Sequence, residues 1–350
     1  MKTGLLSCLT AAAVLAVGVA SPARADSLEL AFDRVLKEAK AAPAPKPAAV
    51  QTSSFVRPFV ASAVPRIDGT GLEARVASLA THEQGRIGVA ALDLASGRTV
   101  SILGDQPFPM ASTSKIAIVA TFLDGVDKGF YRLDEQFPIM VPLRSAKYSS
   151  VKAPVRAGPA FSARYLIERT IANSDNQATD ALLAAVGGTQ AVNRWVQQTG
   201  IKGFRLDRDI ATLVRDDGQY DPARTVDLRD SATPLAMTQL LSGLYQGKWL
   251  SKASRDVLIG AMERCVTGKR RIPALLPEDA AVAHKTGTLS NTTSDVGIIH
   301  TPDGRAIAVA IYVTGQGGKP AREARIAAIA RTIYDGYQVE SSSLRRSASR

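Results

Sequence analysis

The sequence predicts an α+β fold: an antiparallel sheet flanked by terminal helices, with an all-α lobe beside it. Three observations lead there. Alternating apolar patterns of strand type lie near both ends of the 350-residue chain. The stretch between them, residues 111–264, carries almost only helical patterns, and amphipathic helices bracket the strands on the outside. The simplest packing brings both ends into one sheet, covers one face with the terminal helices and sets the 111–264 helices as a lobe on the other. A ligand site is then expected in the cleft between sheet and lobe.

The chain opens with what reads as a secretory leader, residues 1–25. Lys2 supplies the positive start, residues 5–19 a mostly apolar stretch too short to anchor in a membrane, and Ala23-Arg24-Ala25 a cleavage site before Asp26. A secreted or periplasmic protein is expected, with no membrane span once the leader is removed. Cys8 would leave with the leader. Cys265 then stands alone, no intramolecular disulfide can form, and a small buried core residue is its expected role. Residues 26–66 read as an extension outside the folded core. An amphipathic piece (Leu28, Leu30, Phe32, Val35, Leu36) runs into residues 41–49, made only of Ala, Pro and Lys, which form a semi-rigid linker.

The folded domain is expected over residues 67–337. Leu72, Val76 and Leu79 recur at helical spacing, giving a first helix. Residues 87–94 and 99–103 read as a hairpin turning at Ala95-Ser96-Gly97. In the helical stretch, Thr189 is expected to cap residues 190–198, Gly187-Gly188 to close a helix, and Thr233 with Pro234 to open one through Tyr245. Strands return at 281–288 and 295–300. After Pro302-Asp303-Gly304 comes 306–314, where Ile307, Val309, Ile311 and Val313 alternate. A last helix carries Ile326, Ile329 and Ile333 on one face. Residues 338–350, Ser-rich with Arg345-Arg346 and Arg350, read as a disordered basic tail.

Composition narrows the function. With 45% hydrophobic residues the chain can bury a large core, and its formal charge is +11. The basic residues are scattered and not interleaved with aromatics, so nucleic acid is not expected as a partner, whereas small anionic ligands fit. The histidines show no metal spacing, and neither metal nor cofactor is expected. A monomer is expected.

Ser112-Thr113-Ser114-Lys115 opens a helix whose next residues, 116–123, are apolar nearly all round, the pattern of a buried helix. Ser and Lys three apart share a face, which brings an amine to a hydroxyl. A desolvated lysine loses its proton readily, and a neutral amine beside a hydroxyl is a base beside a nucleophile. Alone the pattern is common: Ser149-Ser150-Val151-Lys152 is a second match, in a polar setting that marks it as a decoy. Two further triplets give it weight. Ser174-Asp175-Asn176 lies between helical segments, and Lys285-Thr286-Gly287 lies on a predicted strand. S-x-x-K, S-D-N and K-T-G in this order are the signature set of class A β-lactamases and penicillin-binding proteins.

From about residue 70 to residue 336 the chain resembles that family. Phe108-Pro109-Met110-Ala111-Ser112 is similar to the approach to its nucleophile. Arg205-Leu206-Asp207-Arg208 resembles the start of its Ω loop, Arg229-Asp230 to Met237 the end, and Thr292-Thr293 to Ile299 the strand after K-T-G. The resemblance implies the serine β-lactamase/DD-peptidase fold and a set of roles. Ser112 would attack a lactam or peptide carbonyl, Lys115 would take its proton, and Ser174 would relay a proton to the leaving nitrogen. Backbone N–H groups of Ser112 and Thr288 would form the oxyanion hole. Asn176 would hold a ligand amide. Lys285, Thr286, Gly287 and Thr288 would bind the ligand, its carboxylate above all, with Arg271 assisting and Tyr148 stacking against it.

One departure matters. The family's β-lactamases carry a glutamate in the Ω loop that activates the deacylating water. Ile210 stands in its place, Val214 stands where an asparagine steadies the water, and the loop to Asp230 is several residues longer than usual. Asp209, Asp216, Asp217 and Asp221 are the candidate substitutes. The expectation is a serine hydrolase acylated by β-lactams at Ser112 and slow to deacylate. The alternatives are a D-alanyl-D-alanine carboxypeptidase acting on D-Ala-D-Ala peptides and a non-catalytic β-lactam or peptidoglycan sensor.

Overall fold

The computed structural model describes residues 55–59, 71–81 and 84–348. The leader and most of the 26–66 extension lie outside the described residues. In chain order the elements are β1 (Val56–Pro58), α1 (Leu72–Ala80), β2 (Gly85–Asp93), β3 (Thr99–Ile102), β4 (Phe108–Pro109), α2 (Lys115–Asp127), β5 (Gln136–Pro142), β6 (Val155–Ser162), α3 (Ala163–Ile171), α4 (Asn176–Ala185) and α5 (Thr189–Gln198). They continue with β7 (Phe204–Arg205), α6 (Ile210–Arg215), β8 (Thr225–Asp227), β9 (Ser231–Ala232), α7 (Pro234–Tyr245), α8 (Lys252–Glu263), β10 (Ala281–Leu289), β11 (Thr292–His300), β12 (Ala306–Gly315) and α9 (Lys319–Ala348).

The α+β expectation holds. The strands from both ends form one antiparallel sheet in the order β10-β11-β12-β2-β3. Along β12 the side chains alternate between two cores. Ile307, Val309, Ile311 and Val313 pack with Leu72 and Val76 of α1 and with Ile326, Ile329 and Ile333 of α9. Ala308, Ala310 and Tyr312 face α2, α7 and the rest of the helical lobe. Both faces are covered, which is why β12 is buried from end to end.

Four expectations are corrected. The 111–264 stretch is not wholly helical: β5 and β6 form a hairpin whose Phe137, Ile139 and Phe161 pack on the lobe. Pro138, Pro142 and Pro159 hid it, because proline breaks strand patterns and is tolerated only where a strand has a free edge. Gly188, at φ 83, takes the cap position of α5, and Thr189 is its first helical residue. Residues 26–66 are not all outside the body, since β1 pairs antiparallel with β8. The Phe59 N–H also donates to the Arg224 carbonyl at 2.7 Å and the Leu228 N–H to the Phe55 carbonyl at 2.8 Å. Finally, α9 continues as helix to Ala348, into the stretch read as tail. Thr233 does cap α7, its hydroxyl accepting from the Ala236 N–H. Among the described residues no helix is long and apolar enough to cross a membrane.

Candidate active site

Ser112 sits in a 3-10 turn, residues 111–114, that leads directly into α2. Residues three apart eclipse in such a turn, which sets Lys115 in line with Ser112. The flanking hydroxyls are committed elsewhere: Thr113 Oγ1 donates to the Met110 carbonyl at 2.8 Å and Ser114 Oγ to that of Ala111 at 2.9 Å. Both of those residues are buried, while Ser112 is half-exposed. Ala111, just before it, has φ 49, a conformation rare outside glycine. The decoy pair differs in kind, because Lys152 is exposed and Lys115 is fully buried.

Ser174-Asp175-Asn176 forms the entry to α4. Asp175 is its cap, Oδ1 accepting from the Gln177 and Ala178 N–H groups, while Oδ2 pairs with Arg169. That cap holds Ser174, at φ 60, and Asn176 toward α2. Lys115 Nζ donates to the Ser174 carbonyl at 2.7 Å and to Asn176 Oδ1 at 2.8 Å, and lies 3.4 Å from Ser174 Oγ. Lys285, from β10, donates to the same Ser174 hydroxyl at 2.9 Å. Two amines thus converge on one hydroxyl.

The electrostatics follow from burial. Desolvation, and next the Lys285 charge, hold the Lys115 amine well below the ordinary lysine range, against the pull of Asp180 and Asp175. Burial brings Lys285 down to about 8. Such an arrangement can keep one amine neutral as a proton acceptor and the other charged.

β10 is the edge strand beside the turn that carries Ser112. A Cβ at Gly287 would come within 2.7 Å of the Met110 carbonyl oxygen and 2.3 Å of Ser294 Oγ, so only glycine lets the strand approach. Lys285, Thr286 and Gly287 are buried and Thr288 is exposed at the cleft. Arg271 lies behind the strand, buried. It donates to the Gly287 and Ser294 carbonyls at 3.0 and 2.8 Å, pairs with Glu323, and reaches Thr288 Oγ1 at 2.7 Å. It therefore faces the cleft through the Thr288 hydroxyl.

Tyr148 stands apart from this cluster, half-exposed on the loop between β5 and β6 at φ 60. Its N–H donates to Asp216 of the lengthened Ω loop at 2.8 Å. The neck of that loop is closed by Arg208 and Asp230 at 2.6 Å, and Asp230 also accepts the Asp207 and Arg208 N–H groups. Inside the loop Ile210 is buried and Val214 is half-exposed.

All four candidate substitute carboxylates have other partners. Asp209 caps α6 by accepting the Thr212 N–H at 2.8 Å. Asp216 holds Tyr148 and Arg215, Asp217 accepts the Ser290 N–H at 2.9 Å, and Asp221 accepts from Asn291 Nδ2 at 2.7 Å. The loop is pinned to the end of the β10–β11 hairpin.

One residue of consequence escaped the sequence reading. Asp180 is buried in α4, and its two oxygens accept the Ile210 and Ala211 N–H groups at 2.8 and 2.9 Å. Burial pushes its carboxyl up to about 6, against those two hydrogen bonds. The available signal was an acidic residue set in an otherwise apolar run, Ala181-Leu182-Leu183, four positions after Asn176.

Comparisons with known proteins bear on the family and the fold. A family model described as the beta-lactamase enzyme family matches residues 71–337. Beta-lactamase CTX-M-25 of Escherichia coli is 31% identical over 294 residues, 83% of this chain and 97% of that protein. Beta-lactamase VEB-1 of Pseudomonas aeruginosa is 29% identical over 252 residues, 69% and 82% of the two chains. The crystal structure of a beta-lactamase from Chitinophaga pinensis is similar with a TM-score of 0.66 and 31% identity, over 76% of this chain and 99% of that one. An ancestral class A beta-lactamase structure is 35% identical at a TM-score of 0.65, over 75% and 99%.

Proposed function

The chain belongs to the β-lactamase enzyme family, and from that premise we propose that it is a class A-type serine hydrolase acylated by β-lactams at Ser112 and slow to release the acyl group. In this reading neutral Lys115 takes the Ser112 proton as Oγ attacks the lactam carbonyl carbon. The oxyanion that forms is met by the N–H groups of Ser112 and Thr288. As the C–N bond breaks, the Ser174 hydroxyl, held by Lys285 at 2.9 Å, passes its proton to the nitrogen and is reprotonated from Lys115. Lys285, Thr286 and Thr288 receive the ligand carboxylate, Arg271 orienting the Thr288 hydroxyl. Asn176 receives the side-chain amide, and Tyr148 forms the outer wall. Export through the N-terminal leader, action as a monomer and use of no cofactor belong to the same proposal.

The observation that carries slow deacylation is the buried Ile210 in the place of the base, with every nearby loop carboxylate already held. Removing a general base costs about two to four orders of magnitude in rate. Stopped-flow mixing with a good penicillin, followed by intact-mass spectrometry, tests the reading. A burst equal to the enzyme concentration and a persistent adduct are expected. Rapid turnover with no detectable adduct would show that another group supplies the base. A DD-peptidase would instead release D-alanine from a D-Ala-D-Ala peptide at a rate exceeding penicillin turnover.

A further inference from the structure

Two surface features lie outside the acylation chemistry. Cys265, expected in the core, stands half-exposed just after α8, its sulfur 3.3 Å from Thr267 Oγ1. The larger feature is the β5–β6 hairpin, whose strands pair with each other alone. Phe137, Ile139 and Phe161 turn one of its faces to the helical lobe. Cross-strand partners share a face, so the pairs Pro138–Ala160, Met140–Ala157 and Pro142–Val155 form the other. None of those six side chains is polar, and Pro142, Val155, Ala157 and Ala160 are exposed. The loop joining the strands adds Leu143 and Val151, 45% and 70% exposed. Charge of a single sign surrounds them. No Asp or Glu occurs from residue 136 to residue 167. Arg144, Lys147, Lys152, Arg156 and Arg164 are all exposed, and none of them pairs with a carboxylate among the described residues.

We propose that this hairpin docks on the surface of an anionic phospholipid bilayer, its loop among the headgroups and its apolar face toward the acyl boundary. Exposed aliphatic groups rimmed by unpaired cations suit that partner, because their burial adds to the attraction of the headgroup phosphates. Each cation near such a surface is worth about fivefold in partitioning. Other occupants fit worse. A peptide strand adds to an edge through N–H donors, and Pro138, Pro142 and Pro159 remove donors from both strands. A second copy of the hairpin would bring like charges together. A hydrated polyanion would meet the cations and leave the apolar face bare. Tyr148 lies on the same loop, and its N–H is held by Asp216 of the Ω loop at 2.8 Å. Docking therefore sets the outer wall of the site at the membrane surface, whatever the chemistry at Ser112.

The experiment sediments the processed full chain with vesicles of mixed phosphatidylglycerol and phosphatidylcholine, and with vesicles of phosphatidylcholine alone. Binding to the anionic vesicles is expected to be at least about tenfold stronger, and to weaken as NaCl rises from about 0.05 to about 0.5 M. Lys147→Gln together with Lys152→Gln should lower it about 25-fold. Leu143→Ser together with Val151→Ser should lower what remains at high salt. All four positions are exposed, and thermal unfolding checks that both variants keep the fold. Hydrogen exchange locates the contact: amides across residues 143–155 should slow on anionic vesicles, while those of α9 stay unchanged. Equal binding to the two kinds of vesicle, or to neither, overturns the proposal. So does anionic binding that the double lysine variant retains, with exchange across 143–155 unaltered. A dimer in sedimentation velocity that protects the same loop would assign the face to a second copy. Capture by immobilised polyphosphate without vesicle binding would assign it to a polyanion, and either result overturns the lipid partner.

Discussion

Ser112 is singled out by what surrounds it more than by what it is. Thr113 and Ser114 turn their hydroxyls back to the chain, and Ser149 sits in an exposed loop beside an exposed lysine. A labelled penicillin should therefore attach to Ser112, Ser112→Ala should abolish attachment, and Ser149→Ala should leave it intact, as peptide mapping will show. Arg271 belongs to the same scale. It meets the cleft only through Thr288 Oγ1, so Arg271→Lys, which loses the planar fork, should slow acylation by carboxylate-bearing penicillins by about 1.5–3 kcal/mol. The methyl ester of the same drug should show little difference between the two proteins, whereas a purely structural loss would slow both. Asp180 yields a pH prediction. Burial raises its carboxyl to about 6, above the unfolded value of about 3.9. The folded chain then binds more protons than the unfolded one between those values. The stabilisation is present below the lower value and lost as pH rises through the higher one, by up to about 3 kcal/mol in all. Urea unfolding should show this loss in wild type and a flatter profile in Asp180→Asn.

At the scale of elements, the Ω loop is held at more points than its contacts with the β10–β11 hairpin and Tyr148. Asp180 grips the start of α6, the Arg208–Asp230 pair closes the neck, and β1 pairs with β8 inside it. Phe55 and Phe59 flank that strand, each under a guanidinium: Arg205 lies 4.2 Å from the first ring and Arg86 4.9 Å from the second. Part of the segment read as an extension and linker is thus a strand paired with the loop that holds Ile210. A chain lacking residues 26–60 should keep its fold, because the described residues among them, 55–59, belong to neither core. The Leu228 amide, which loses its Phe55 acceptor, should exchange with solvent at least about tenfold faster. Unchanged exchange across residues 222–230 would mean that the strand pairing does not hold the loop.

At the scale of the whole molecule, one sheet serves two cores, and the Lys115–Ser174–Lys285 cluster lies on the side of the helical lobe. Ile329 of α9 lies in the other core, fully buried. Ile329→Ala should cost about 2–5 kcal/mol of stability and leave acylation by penicillin in the folded state unaltered, as thermal unfolding and burst amplitude can each report. The amino-acid sequence by itself determined the elements whose signal is local. Alternation in β12 and the one-sided isoleucines of α9 define both cores, and S-x-x-K, S-D-N and K-T-G name the groups of the site, because each such pattern is complete within a few residues. It could not supply what depends on partners far along the chain. That Asp217 and Asp221 are already hydrogen-bonded across the fold, that Arg271 sits behind β10, that β1 joins β8 and that His284 meets Asp295 all follow from contacts between segments. Hydrogen bonds and burial across such distances exist only once the chain has packed, so the tertiary structure alone decided them.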